Sequence, residues 1–300
     1  MNLFQTPEWE KFKLATGWQK SYRVSGILVL ERKIPHLGSM LYSPMIGKDQ
    51  ISKIKDQNFK SKIKELAKEN GVIFFRHELD IPTTENINPA KFGFIKSFEE
   101  MQPEHTLILD INRSEEEILA QMKPKGRYNI KVAEKHGVEI SAGTALDFYK
   151  LYATMAERQH ITFRSKSYFE KLVEILGNDL VKVYIAESKD SEIIASAIVA
   201  FYGERATYLF GGSSNENREL MAPYKLQWEI IKEAKRRNCK EYDFFGIAPN
   251  DNPKHPWAGV SRFKKQFGGQ EVHNLGSWDL IFSPLKYKLF RLVEKARRHK

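Results

Sequence analysis

Two adjacent lysines, Lys264 and Lys265, stand between Phe263 and Phe267 in the stretch SRFKKQFGG (261–269). The residues before it, PNDNPKHPWAG (249–259), are too rich in Pro, Gly, Asn and Asp to form a helix or a strand. Cations beside aromatic anchors at a loop edge suit a positive charge presented to a ligand, and Gly268 and Gly269 let backbone approach closely or turn sharply. A second basic run, Lys123, Lys125 and Arg127 in KPKGRYNIKVAEK (123–135), leads into a helix and reads as a cradle for a polyanion. Tyr208 at a strand end and Tyr224 at a helix start either line a site or pack into the core.

The familiar catalytic signatures are missing. The sequence holds no GxSxG, HExxH, CxxC, Walker loop or GxGxxG. Its eight histidines lack metal-ligand spacing, and the best placed, His77 and His255, suit surface or structural roles. GGSS (211–214) is the nearest thing to a pyrophosphate loop, but NENRELMAPY separates it from the following helix. The single cysteine, Cys239, excludes an internal disulfide framework and suits a reducing compartment.

Charge points to the partner class. Three short segments, 123–135, 232–240 and 286–300, carry net charges of +4, +4 and +6, which exceeds the +10 of the whole chain. Such clusters suit nucleic acid, a nucleotide-sugar or anionic lipid. The longest apolar runs, such as EIIASAIVAFYG, are too short to cross a membrane, and the N-terminus lacks the pattern of a signal peptide.

The elements that must position these residues alternate along the chain. TPEWEKFKLAT predicts a short helix capped by Thr6, with Pro7 in its first turn. GILVLERKI and MLYSPMIG predict strands, 49–71 one amphipathic helix stopped by Gly71, and VIFFRHEL a buried strand. HTLILDI adds another strand, and a helix beginning at Ser114 continues its pattern through YNIKVAEKHG to Gly137. After the short strand VEISAG come two helices, LDFYKLYATMAERQ and SKSYFEKLVEILG. Three antiparallel strands follow (VKVYIAES, EIIASAIVAFYG, RATYLFGGSS), then a long helix (MAPYKLQWEIIKEAKRRN) and the strand KEYDFFGI. This order is that of an acyltransferase-like α+β unit, and the first hundred residues look like a reduced copy of it. SWDLIFSPLKYKLFRLVEKARRHK predicts a strand and a basic helix that return to the first half. The expected domains are 1–104 with 274–300, and 105–273.

Several segments occur together in one order: MKPKGRYNIKVAEKHGV, TMAERQHITFR, YLFGGSSNENRELMAPYKLQWEIIKEAK, YDFFGI and FKKQFGGQEV. The series closely resembles the Fem family (FemA, FemB, FemX), which builds interpeptide bridges in peptidoglycan. The resemblance runs through nearly the whole chain, strongly over 105–285. It implies two acetyltransferase-like domains and transfer of an aminoacyl group from aminoacyl-tRNA to an amine on the stem peptide of a wall precursor. FemA and FemB carry a long coiled-coil arm where this chain has only SKSYFEKLVEILGND, so the layout is similar to that of FemX. That favours the soluble UDP-MurNAc-pentapeptide over the lipid-linked precursor as acceptor, without deciding between them.

The resemblance also implies roles. Lys11 and Arg164 match basic positions that hold the precursor's diphosphate, and Glu78 an acidic position near the acceptor peptide. Phe263 and Lys264 match an aromatic and a lysine at the reaction centre, where a cation would meet the negative oxygen built when an amine attacks an ester. The ester is already activated, so neither a metal nor a cofactor is expected. Lys265 faces either the acceptor stem of the tRNA or water, and Lys123, Lys125 and Arg127 suit a tRNA backbone. A cytoplasmic monomer, with peripheral membrane contact possible, is the accompanying expectation. Two other readings stay open: an acyl-CoA N-acyltransferase and a non-catalytic RNA-binding protein.

Overall fold

The computed structural model describes residues 2–159 and 164–298. The chain forms two compact units, Met1–Glu104 with His273–Lys300, and His105–Val272.

The first unit begins with α1 (Pro7–Ala15), where Thr6 Oγ1 accepts the Trp9 amide at 3.2 Å and Pro7 fills the first turn. Strands β1 (Lys20–Val24), β2 (Ile27–Ile34) and β3 (Gly38–Ile46) form an antiparallel meander. The segment expected to be one helix over 49–71 is two, α2 (Ile51–Lys55) and α3 (Gln57–Glu69). Asp56 separates them, because its carboxylate accepts the Asn58 amide at 2.8 Å and caps a new helix with extended backbone. The chain then enters β4 (Val72–Pro82), parallel to β3, and passes the short β5 (Ile95–Lys96).

The second unit opens with β6 (His105–Asp110) and α4 (Glu115–Gln121), whose N-terminus is a capping box of Ser114 and Glu117. The predicted continuation of this helix to Gly137 is interrupted. Met122 and Lys123 are extended, and a separate α5 (Pro124–Lys135) begins at the proline, which disfavours helical geometry in the residue before it. Next come β7 (Glu139–Ala142), α6 (Ala145–Gln159) and α7 (Lys166–Leu180). β8 (Val181–Glu187), β9 (Ile193–Tyr202) and β10 (Arg205–Ser213) are consecutive antiparallel strands. α8 (Ala222–Arg236) carries the chain back to β11 (Glu241–Gly246), which runs parallel to β10.

The loop after β11 ends sooner than its composition predicts, since α9 spans Ala258–Lys264. β12 (Gln270–Ile281) pairs antiparallel with β4 from Asn274 onward, and α10 (Pro284–Arg298) follows.

Within the first unit the strand order is β1-β2-β3-β4-β12, with β5 on β12; within the second it is β6-β11-β10-β9-β8-β7. Val29, Leu41, Phe59, Ile63 and Phe75 build the first core, and Leu109, Ile130, Val199, Trp228, Ile231 and Phe244 the second. This is an α+β fold, and its described residues include no coiled-coil arm.

Candidate active site

In the second unit the parallel pair β10/β11 is short. Arg205–Thr207 lie opposite Glu241–Asp243, and no further pair is formed among the described residues. β10 stays on β9 but shifts register between Tyr208 and Phe210, and β11 shifts on β6 between Asp243 and Gly246. Phe245 takes a left-handed conformation (φ 61°), which is strained for a bulky side chain. The two strands therefore part beyond Thr207 and Asp243, and backbone that a parallel sheet would bury is freed to meet other groups.

Lys264 fills that opening. Its ammonium donates to the Gly246 carbonyl at 2.7 Å and lies 5.5 Å from the centre of the Tyr208 ring, with the residue only 6% exposed. Burial pulls its pKa from 10.5 down to about 8, against the opposing pull of the Asp243 carboxylate. Near neutral pH it is still a cation. An ammonium has three donors, and among the described residues one is used, so two remain for a ligand.

The support around Lys264 explains its sequence context. Ser261, on the same helix, donates to the Trp257 carbonyl and accepts the Ala248 amide at 2.7 Å, which ties α9 to the chain leaving β11. Phe263, Phe267 and Tyr224 pack against one another with ring centres 5.0–5.8 Å apart. Tyr224 is therefore both a packing residue and a wall of this region, and Tyr208 is half-buried at the point where β10 leaves β11. Burial holds the Tyr208 phenol in its protonated form. Gly269 takes φ +85°, and a side chain there would stand 2.7 Å from the Ile108 carbonyl, so close backbone approach is required.

Asp243 is the site residue that sequence reasoning missed. It is 3% exposed, accepts the Phe245 amide at 2.8 Å and the Thr106 hydroxyl, and supplies the countercharge nearest to Lys264. YDFFGI is its local signal, but the segment shows neither the turn at Phe245 nor the buried cation it faces.

Other candidates sit elsewhere or are already engaged. Lys265 pairs with Asp251 at 2.8 Å and Glu271 at 2.7 Å, both of them exposed carboxylates. Arg127 donates to the Leu119 and Met122 carbonyls through one guanidinium nitrogen, closing the end of α4. Lys123 and Lys125 are exposed beside it. The 232–240 cluster is likewise tied up: Lys232 pairs with Glu229, Arg236 and Arg237 with Glu233, and Lys235 reaches the Ile111 and Arg113 carbonyls. Arg164 is exposed, with its guanidinium 4.5 Å from the Tyr168 ring centre. It closes TMAERQHITFR, of which residues 160–163 lie outside the described residues.

Lys11 and Glu78 belong to the first unit. Lys11 is exposed on α1. Glu78 lies within β4, buried, and accepts the Met101 amide (2.7 Å), the Gln102 amide (2.8 Å), the Ser277 hydroxyl (3.1 Å) and the Tyr42 hydroxyl. Burial raises its pKa to about 7 against the pull of these donors. Its carboxylate fastens the 101–102 segment to the sheet. His77 is buried with neither ring nitrogen bonded, and burial lowers its pKa to about 3; His255 accepts the Trp257 amide.

A buried, positioned lysine in a splayed parallel pair suits stabilisation of negative charge on a carbonyl oxygen. Over residues 90–189 and 178–295 the chain matches the FemAB family. It belongs to that family. A lipid II:glycine glycyltransferase of Staphylococcus haemolyticus (strain JCSC1435) is 22% identical, across 99% of this chain and 91% of that protein. The alignment runs over 384 positions against the 300 residues here, so the relative carries insertions that this chain lacks. A UDP-N-acetylmuramoylpentapeptide-lysine N(6)-alanyltransferase of Weissella viridescens is 32% identical across 55% of this chain and 49% of its own length. Among solved structures FemX shares the fold with a TM-score of 0.81 and 20% identity, covering 96% of this chain and 94% of that one. A tandem GNAT protein from clavulanic acid biosynthesis has a TM-score of 0.50 and 13% identity, covering 84% and 78%.

Proposed function

We propose that this FemAB protein transfers an aminoacyl group from aminoacyl-tRNA to an amine on the stem peptide of a peptidoglycan precursor. The observation that carries the reading is Lys264, a buried cation fixed by the Gly246 carbonyl where β10 and β11 part. Attack of a neutral amine on the ester carbonyl forms a C–N bond and an anionic tetrahedral oxygen. The two unused N–H groups of Lys264 are suited to that oxygen, and one such donor is worth ~3–4 kcal/mol in comparable oxyanion sites. Collapse breaks the ester C–O bond, and the proton lost by the amine ends on the ribose hydroxyl that leaves. Phe263, Phe267 and Tyr224 hold the helix that aims Lys264; Tyr208 and Asp243 complete the surroundings of its charge.

The donor assignment has independent support in the approach to α8. After Ser213 the chain makes a 3-10 turn at Arg218–Leu220, and α8 starts at Ala222–Pro223 behind a left-handed Met221. That entry has no glycine cradle for a coenzyme pyrophosphate. Lys123 and Lys125, exposed ahead of α5, are the residues of the 123–127 run that remain suited to tRNA phosphate. Arg164, exposed in the second unit, and Lys11 are proposed to contact the acceptor's diphosphate, as a fork and a point charge would. The UDP-linked acceptor is favoured by the alanyltransferase relative's name and by the absence of an arm among the described residues.

The test is direct. The protein is incubated with a charged tRNA mixture and UDP-MurNAc-pentapeptide, and the precursor is analysed by mass spectrometry. A gain of one aminoacyl mass, dependent on intact aminoacyl-tRNA, is expected. No gain with either the UDP-linked or the lipid-linked precursor would sink the proposal.

A further inference from the structure

The third basic cluster is organised differently from the two in the second unit. α10 is a 15-residue helix whose inner face, Tyr287 and Phe290, is buried (4% and 3% exposed). Both rings pack 5.2 Å from Phe74, and the Tyr287 hydroxyl donates to Asp279 at 2.6 Å. At 100° per residue, Leu285, Leu289 and Leu292 fall on the side opposite to this face, and Val293 lies at their edge, 40° from Leu289. They are 84%, 49%, 58% and 37% exposed. Single exposed leucines are ordinary, but three aligned, with a valine at their edge, on a helix already anchored by its other face are not.

The cations lie between these two faces. Lys288, Arg291 and Lys295, spaced three and four apart, share one flank; with Phe98, Tyr287 and Leu292 they line an open cavity of ≈ 660 Å³. Lys286 falls on the other flank, and the helix's one acidic residue, Glu294, falls on the inner side. Among the described residues no helix is long and apolar enough to cross a membrane. A helix with an exposed aliphatic stripe bordered by cations fits the plane of a membrane surface, with the stripe in the acyl boundary and the cations among the headgroups.

We propose that α10 docks the protein on anionic phospholipid bilayers, inserting Leu285, Leu289, Leu292 and Val293 and holding lipid phosphate with Lys288, Arg291 and Lys295. Charge complementarity decides the occupant. Nucleic acid would use the cations but leave four aliphatic side chains in water, where a stacking surface needs aromatic rings. A second copy seated face to face on the same stripe would bring like-charged flanks together. The inference concerns binding alone and holds whichever precursor is the acceptor.

The test is flotation of the full chain with phosphatidylcholine vesicles, with and without about 30 mol % phosphatidylglycerol. Binding to the anionic vesicles is expected, with much weaker binding to the neutral ones. Lys288→Gln with Lys295→Gln should lower the partition coefficient about 25-fold, since each cation near an anionic surface is worth about fivefold. Leu285→Ser with Leu289→Ser and Leu292→Ser should lower it at least about tenfold, with melting unchanged because the replaced side chains are exposed. A polarity-sensitive dye on Leu289→Cys reports insertion directly, Cys239 being buried; its emission should shift to the blue on anionic vesicles. The same dye on Lys64→Cys, exposed on α3, should not shift. Unchanged binding of the triple serine variant would reduce the effect to adsorption by net charge and overturn the proposal. So would an unshifted Leu289→Cys dye, or a solution dimer that the serine variant abolishes without any vesicle binding.

Discussion

In the first unit β3 and β4 stay paired from Ser39–Val72 to Ile46–Leu79, through register shifts after Ser39 and after Ser43, whereas in the second β10 and β11 form no pair beyond Thr207–Asp243. Both pairs are parallel, both follow an antiparallel meander, and both are flanked by an antiparallel strand, β12 and β6 respectively. Their buried charges differ accordingly, although the neutral His77 on β4 has no bonded ring nitrogen. Beside the closed pair, Arg76 is bidentate to Asp279 at 2.8 Å and bonds Glu99 at 2.6 Å, and Glu78 takes four donors. Beside the open pair, Lys264 has one acceptor among the described residues and an unpaired share of its donors. A fully partnered buried charge specifies a fold; an under-partnered one costs stability and stays ready for a ligand.

The contrast breaks or sharpens under mutation, beginning with the largest effect. Arg76→Met should destabilise the protein by about 3–5 kcal/mol, because Asp279 and Glu99 lose a buried partner, while the transfer rate per folded molecule is unchanged. Thermal or urea melting with an active-site titration checks both halves. Lys264→Met should do the reverse: transfer slows ~10²–10³-fold in single turnover at saturating substrates, with both substrate affinities kept. A rate within about threefold of the unmodified protein would remove Lys264 from the chemistry.

Gly269→Ala comes next. The new Cβ meets backbone of β6 and requires φ +85°, so about 1–3 kcal/mol of stability should be lost, together with activity, since the turn fixes the end of the Lys264 segment.

Proton linkage distinguishes the two buried groups by sign. The folded-state pKa of Lys264 is lowered to about 8, so the native state releases its proton first and stability relative to Lys264→Met should rise between pH 8 and 10.5. That of Glu78 is raised to about 7, so its contribution is full below pH 4.5 and is lost as pH rises through 7; Glu78→Gln should abolish that loss. Melting against pH in the paired variants measures each. The smallest effect belongs to Lys123 and Lys125: neutralising both should flatten the log–log salt slope of tRNA binding by about 0.7–0.9 per lost contact. An unchanged slope would leave them as solvated lysines.

Local chemistry in the sequence was enough for many of these elements. The caps at Thr6 and Ser114 and the stop at Gly71 depend on residues within a turn of one another, and they and the meander strands form as the chain predicts. The broken helices at Asp56 and Lys123 were also locally encoded, by an aspartate able to cap and by a proline, but a helical hydrophobic period masked both signals. Lys264 was legible through its aromatic neighbours.

What nearby residues could not reveal is which charges have partners within the fold. Lys265, Arg127 and Glu78 look unpartnered in one dimension, and each meets groups that the fold brings close: Asp251 and Glu271, the carbonyls ending α4, and donors from three separate segments. Asp243 became a site residue only when β11 placed it near a lysine 21 positions further along the chain. The sequence by itself determined the helices, the strands and the Fem resemblance, because those rest on local conformational preference and motif order. Only the tertiary structure decided that Lys264 is a buried, under-partnered cation, because desolvation and hydrogen-bond partnership depend on which distant groups share its space.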